Sequence, residues 1–300
     1  MSSSVQSDFF FKTLPFGRVF TLKSYAKINL SLLVFQLNKE GYHPICSVFQ
    51  EVSLYDILTV KIIPQQICSL TSNHDHFPLD HTNLLSQVYL KMKPHINYGL
   101  EINVVKNIPM GGGLGGGSSN AAALILFLVS FFKLKYTMKQ LFQLAKSFGA
   151  DIPFFLTGGT QLVRGIGEKL TPLATKKRQY YVLIISGIKI KTLDIFKQFD
   201  QQQSASVPFK TPKSILKSYI GPNSLKDTLF NFNPFFYELE SRLSQFQTPQ
   251  IQLSGTGSTL FFVVTKWSEA VVWEKRLSLA FKDCIIKAVK PIQRGSDLEF

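Results

Sequence analysis

Pro109-Met110-Gly111-Gly112-Gly113-Leu114-Gly115-Gly116-Gly117-Ser118-Ser119-Asn120-Ala121-Ala122-Ala123 is the stretch of this 300-residue chain whose reading decides the fold. Six of the seven positions from 111 to 117 are glycine, and two hydroxyls follow at once. Such a run gives up side-chain packing and costs backbone entropy, so the ordered state must gain something from it. Close approach of bare backbone N–H groups to an anion is that gain. Ser118, Ser119 and Asn120 are good N-cap residues, and the alanines after them open a strongly helix-forming, apolar segment. A glycine loop feeding a helix start gathers unpaired N–H groups and the positive dipole end in one place, which suits a phosphate.

Two familiar loops do not account for it. The P-loop ends in Gly-Lys-[Ser/Thr], and here Gly117 runs directly into Ser118 with no lysine. The dinucleotide pattern is met literally by Gly111, Gly113 and Gly116, but the second strand and acidic residue that it requires further on are replaced by Lys133, Lys135 and a second helix. A flexible glycine linker is the bland alternative, and the apolar strand before the run and the apolar helix after it speak against it. A phosphate cradle of a third type remains.

Outward from the loop, Leu100, Ile102 and Val104 alternate with Glu101 and Asn103, giving the strand that leads into it. In residues 20–35, Ile28, Leu30 and Leu32 fall on one face and Lys27, Asn29 and Ser31 on the other. A strand here aims a lysine and an asparagine at one side, although Lys27 reads equally well as an ordinary solvent-facing lysine. A turn ending in Tyr42 and His43 follows, then strands at 45–54 and 57–63 and a helix at 82–92. His74, His76 and His81 match no metal-ligand spacing and read as a solvated loop. Thr137 and Gln140 have capping-box spacing, Leu141, Leu144, Ala145 and Phe148 recur at helical spacing, and Gly149 closes that helix. Asp151 comes next, either as the N-cap of a turn containing Pro153 or as an acid kept for chemistry.

Residues 171–179, rich in Pro, Thr and Lys, predict a boundary between domains 1–170 and 171–300, with the first 18 residues a disordered tail. Beyond it come strands at 180–185, 259–265 and 284–289, helices starting at 194, 234 and 268, and a polar, mobile connection at 200–212. The Ser-Gly-Thr-Gly-Ser segment at 254–258 is either a hairpin turn or a second phosphate contact.

Apolar content of 45% and charged content of 17% describe a packed globular chain. The net charge of +14 is spread over both halves, which favours a small anionic substrate over a dedicated nucleic-acid patch. Cys46, Cys68 and Cys284 lack CxxC spacing, so neither a disulfide framework nor a zinc site is indicated, and a reducing, cytoplasmic setting is expected. The N-terminus lacks a secretory pattern, and the longest apolar run, 121–132, is too short to span a bilayer.

Taken in order, Ala26-Lys27-Ile28-Asn29-Leu30, Gly41-Tyr42-His43, the glycine run, Gly149-Ala150-Asp151-Ile152-Pro153 and Leu253-Ser254-Gly255-Thr256-Gly257 resemble the GHMP kinase superfamily over residues 20–290. The Gly-Tyr-His and Gly-Ala-Asp-Ile-Pro segments narrow the likeness to its branch acting on a cytidylyl methylerythritol in non-mevalonate isoprenoid synthesis. The resemblance implies an α+β, two-domain fold. Its N-terminal domain is ribosomal-protein-S5-domain-2-like, its C-terminal domain ferredoxin-like, and the active site lies between them. It implies an ATP- and Mg²⁺-dependent kinase acting on the 2-hydroxyl of that small molecule, with no nucleic-acid or membrane partner, as a monomer or weak homodimer. Pro109, Met110, Gly111, Gly112, Gly113, Leu114, Gly115, Gly116, Gly117, Ser118 and Ser119 would then wrap the ATP phosphates, with Ser118 near the metal. Asn83 and Lys106 match positions near the adenosine. Asp151 would be the catalytic base and Lys27 its charged neighbour. Asn29, Tyr42, His43, Phe49 and Phe196 would hold the cytidine diphosphate part, the base lying between aromatic rings. One departure is visible: Tyr25 stands where the family usually has proline. The rival readings are a sister kinase of homoserine, mevalonate or a sugar, and a basic RNA-binding protein on the same scaffold.

Overall fold

The computed structural model describes residues 17–202 and 213–293. Most of the expected N-terminal tail and of the polar connection therefore lies outside the described residues. The framework is a long antiparallel pair, β1 (Val19–Val34) and β2 (Ile45–Ile63). Residues 45–63, expected as two strands, form one strand kinked by a bulge: Tyr25 faces Tyr55, but the next residue, Ala26, faces Val52. A bulge inserts residues without ending the ladder, so a break in alternation need not end a strand.

Then follow β3 (Cys68–Ser72), α1 (Leu84–Ile96), β4 (Gly99–Val105), α2 (Gly116–Phe131), α3 (Met138–Phe148), α4 (Ile152–Thr157), β5 (Thr160–Gly165) and β6 (Lys169–Leu173). The first sheet has the order β3-β4-β2-β5-β6, with β1 on the other edge of β2. Residues 57–63 of β2 pair with β4 and residues 45–50 with β5. One face buries Leu58, Val60, Ile102 and Val104 against Val88 and Met92 of α1 and Leu124, Ile125 and Leu128 of α2. Helix α2 is apolar almost all round because α1, α4 and the sheet enclose it. The capping box at Thr137 and Gln140 is formed as the spacing predicts.

The second sheet comprises β7 (Tyr180–Ile185), β8 (Gln252–Leu253), β9 (Thr259–Val264) and β10 (Ile285–Val289), in the antiparallel order β10-β7-β9-β8. Helices α5 (Thr192–Gln202), α6 (Lys213–Ser218), α7 (Lys226–Phe232) and α8 (Phe235–Ser244) precede β8, and α9 (Trp267–Ala280) joins β9 to β10. This is the split βαβ order of a ferredoxin-like fold. Strand β7 is apolar throughout because both of its faces are covered. Val182 and Ile184 pack with residues of the helices, while Tyr181, Leu183 and Ile185 pack with Ala26, Ile28 and Leu30 of β1.

The outer edge of β1 places the functional loops. Lys27 N–H donates to Leu114 O (2.9 Å), and Asn29 N–H to the Ser254 hydroxyl (3.2 Å). Further along, Leu30 O accepts from Gly221 N–H (3.0 Å) and Leu32 N–H donates to Pro222 O (2.9 Å). An edge strand left bare invites pairing with another chain. Here the glycine loop, the 254–258 loop and the segment at 221–224 cover it in succession.

Candidate active site

A cleft of about 500 Å³ lies between the two sheets' loops and is lined by the glycine run together with Lys27, Asp151, Phe196 and Thr256. The loop is held from both sides. Thr259 Oγ1 donates to Gly112 O (2.7 Å) and Ser254 Oγ to Gly113 O (3.3 Å), while Lys27 N–H takes Leu114 O. Two positions can only be glycine. Gly113 has φ +74, and a Cβ there would sit 2.6 Å from Ser254 O and 2.8 Å from Gly257 O. Gly115 has φ +71, and its Cβ would meet the Phe155 ring at 2.8 Å. Left-handed backbone costs an L-residue roughly 1–2 kcal/mol before any clash.

The expectation that Ser118, Ser119 or Asn120 caps α2 is corrected. The cap is Gly115, with no side-chain hydrogen bond, and the three polar residues fall inside the first turns. The first helical bond there is Ser119 N–H to Gly115 O (2.9 Å), so the N–H groups of Gly116, Gly117 and Ser118 have no acceptor within the helix. A side-chain cap would have taken one of these donors; a glycine cap leaves them to an anion. Ser118 lines the cleft, whereas Ser119 is buried and its hydroxyl accepts from Ser24 Oγ (2.8 Å).

Lys27 is 4% exposed and is not the solvent-facing lysine that its strand position allowed. Its ammonium donates to Asn29 Oδ1 (2.7 Å), lies 3.5 Å from Asp151 Oδ2 and sits 4.5 Å over the Phe49 ring. Asn29 is fixed in turn, since its amide donates to Ser47 Oγ (3.0 Å). Asp151 occupies the residue before α4, but its side chain makes no cap hydrogen bond and remains 36% exposed. The carboxylate is thus turned to Lys27 instead of to its own helix, and it is open to the cleft.

The remaining expected residues are distributed unevenly. Phe196 lines the cleft and stacks on His43 (5.2 Å, 23°). His43 Nδ1–H donates to Phe35 O (2.7 Å), and its Nε2 lies 3.0 Å from Asp200 Oδ1. Tyr42 is 57% exposed on the turn. Phe49 is buried, with the Lys27 ammonium over its face and Phe154 packed against it at 5.2 Å. Asn83 caps α1 by accepting from Leu85 N–H (2.9 Å), and Leu84 beside it reaches the cleft. Lys106 lines the cleft, but its ammonium pairs with Asp56. Asp56 and Thr259 carry no motif in the sequence beyond a lone acid in the apolar 54–58 stretch for the first, whereas Ser254 lies in the 254–258 segment read as a hairpin turn or a phosphate contact.

Residues 83–159 match the model of the GHMP kinases N terminal domain. A 4-diphosphocytidyl-2-C-methyl-D-erythritol kinase of Alkaliphilus metalliredigens is 31% identical over 87% of this chain and 93% of its own length. The chain belongs to the 4-diphosphocytidyl-2-C-methyl-D-erythritol kinase family. A Clostridium tetani member of that family is 34% identical over 80% of this chain and 89% of its own. A solved 4-(cytidine 5'-diphospho)-2C-methyl-D-erythritol kinase superposes with TM-score 0.71 at 27% identity, covering 90% of this chain and all but 1% of the other. A homoserine kinase from Cytophaga hutchinsonii shares the fold, with TM-score 0.68 at 16% identity over 92% of this chain and 96% of the other. The α+β GHMP kinase fold expected from the motifs is therefore the one found.

Membership of a kinase family implies the use of ATP, and the glycine run at the cleft is the place to test for it. Gly113→Ala is then expected to raise the KM for ATP about tenfold or more, since backbone strain and clash together exceed the 1.4 kcal/mol of one decade. ATP titration of initial rates measures it, and an unchanged KM would mean that the loop is not the nucleotide seat.

Proposed function

We propose that this chain transfers the γ-phosphoryl group of ATP to the 2-hydroxyl of 4-diphosphocytidyl-2-C-methyl-D-erythritol. The observation that carries the reading is the convergence of Asp151, Lys27 and the glycine loop in one cleft, in a chain whose relatives bear that name. Phosphoryl transfer asks for positioning and for charge stabilisation on the moving group. The unpaired amides of Gly116, Gly117 and Ser118 supply the second without a P-loop lysine. As the substrate oxygen bonds to phosphorus and the bond from phosphorus to the ADP oxygen breaks, Asp151 takes the hydroxyl proton. Lys27, held by Asn29, keeps that carboxylate in place and balances charge on the attacking oxygen.

Among the described residues no group of three His, Cys, Asp or Glu is arranged to hold a metal, so a magnesium ion would rest chiefly on phosphate oxygens. The Ser118 hydroxyl at the cleft would help to hold it, and the ion would neutralise charge on the phosphates. The cytidine diphosphate part is assigned to Asn29, Tyr42, His43, Phe49 and Phe196. Phe196 and Phe49 are the rings that line the cleft, and base stacking is worth about 1–3 kcal/mol. Phe196→Ala should raise the KM for the cytidylyl substrate about tenfold, with the KM for ATP unchanged. A loss of ATP affinity instead would reverse the division of the cleft.

The three cysteines are free, in keeping with the reducing, cytoplasmic setting that we assign, and burial pushes the Cys68 and Cys284 thiols up to about 11. No helix among the described residues is long and apolar enough to cross a membrane. The deciding assay follows ADP release with ATP, Mg²⁺ and the cytidylyl alcohol, beside parallel reactions with homoserine and mevalonate. Turnover of either of the latter at a comparable kcat/KM would overturn the substrate assignment.

A further inference from the structure

We infer that Asp56 is a positioning residue for the nucleotide loop, and that Lys106 acts through it instead of on the nucleotide. Asp56 is fully buried in β2, with an exposure of 0%. Four donors converge on its carboxylate. Oδ1 accepts from the backbone N–H groups of Asn107 and Ile108, each at 2.8 Å. Oδ2 accepts from Asn120 Nδ2 (3.0 Å) and pairs with the Lys106 ammonium. Residues 106–108 form the lead into the glycine run, and Asn120 stands in the helix that follows it. One carboxylate therefore ties down the entry and the exit of the loop together.

The tie continues beyond Asp56. Asn120 Nδ2 also donates to Ser24 Oγ (2.8 Å), whose hydroxyl donates to Ser119 Oγ (2.8 Å). The Lys106 side chain is 3% exposed, and its ammonium closes against Gly116, where an added Cβ would meet it at 3.0 Å. A cation so enclosed and so paired has little left to offer a phosphate. Removing either charge alone leaves the other buried without its partner, whereas removing both does not.

The inference rests on the glycine loop being the nucleotide seat. The test is a double-mutant cycle with Asp56→Asn, Lys106→Met and the double variant, read as ADP affinity by calorimetry and as the KM values for ATP and the cytidylyl alcohol. Asp56→Asn sets amide hydrogens against Lys106 and Asn120, and ADP affinity is expected to fall about tenfold, with the KM for the alcohol within about twofold of wild type. Lys106→Met leaves Asp56 three donors, and the loss should be about threefold. The double variant, free of any unpaired buried charge, should bind ADP no more weakly than Asp56→Asn, and it replaces that variant if the single one does not fold. Losses that multiply in the double variant would place Lys106 on the nucleotide and overturn the inference. So would a lower Tm with ADP affinity and both KM values unchanged, the mark of a purely structural pair. Wild-type protein that fails to bind ADP would overturn the reading of the loop itself, whereas wild type and Asp56→Asn binding alike would overturn only this inference.

Discussion

Asp151→Asn is expected to lower kcat about a hundredfold or more, while the KM for the cytidylyl substrate stays near the wild-type value. The substitution keeps the shape of the side chain and removes its capacity to accept a proton together with the negative charge that faces Lys27. The side chain does not cap α4, so its loss should not unravel that helix, and a Tm close to wild type is the control. At 36% exposure the carboxylate is already open to the cleft, which makes a binding defect an unexpected result. Retention of near-normal kcat would remove Asp151 from the chemistry and leave the glycine loop to act by positioning alone.

Lys27→Met should cost kcat a comparable factor, about a hundredfold, since one charge at a desolvated site commonly contributes several kcal/mol to a transition state. Methionine keeps an unbranched stem of similar length, and the backbone N–H to Leu114 O is untouched. What disappears is the ammonium between Asn29 Oδ1 and Asp151. Lys27→Arg should not rescue activity, because the larger planar guanidinium has no room in a site that is 4% exposed. A variant with full kcat and a raised KM would recast Lys27 as a binding residue.

The parts of the site legible in sequence are those that a short stretch specifies. Glycine density at 111–117 and the alternation through Lys27 and Asn29 both describe local backbone geometry, and both are found as read. Asp151 could not be settled that way: a residue before a Pro-containing turn looks the same whether it caps the helix or faces Lys27, which comes from a distant strand. Asp56 escaped notice for the same reason, since its four donors come from segments about fifty and sixty-four residues away and none of them is a local pattern. The cap of α2 was misplaced because propensity favours the serines, whereas the unpaired donors require a residue without a side chain at the turn. The kink in β2 looked like a strand break because alternation falters wherever extra residues enter a ladder.

The covered rim of β1 bears on how the enzyme comes into being. Within the chain β1 precedes the segments that cover its rim by a long way, Ser254 lying 225 residues beyond the Asn29 N–H that it binds, so these hydrogen bonds close only after the first sheet has been made. Both halves of the molecule are stitched to that single ribbon. The loops that line the cleft therefore share one backbone as their anchor, and a shift of that ribbon moves all of them at once.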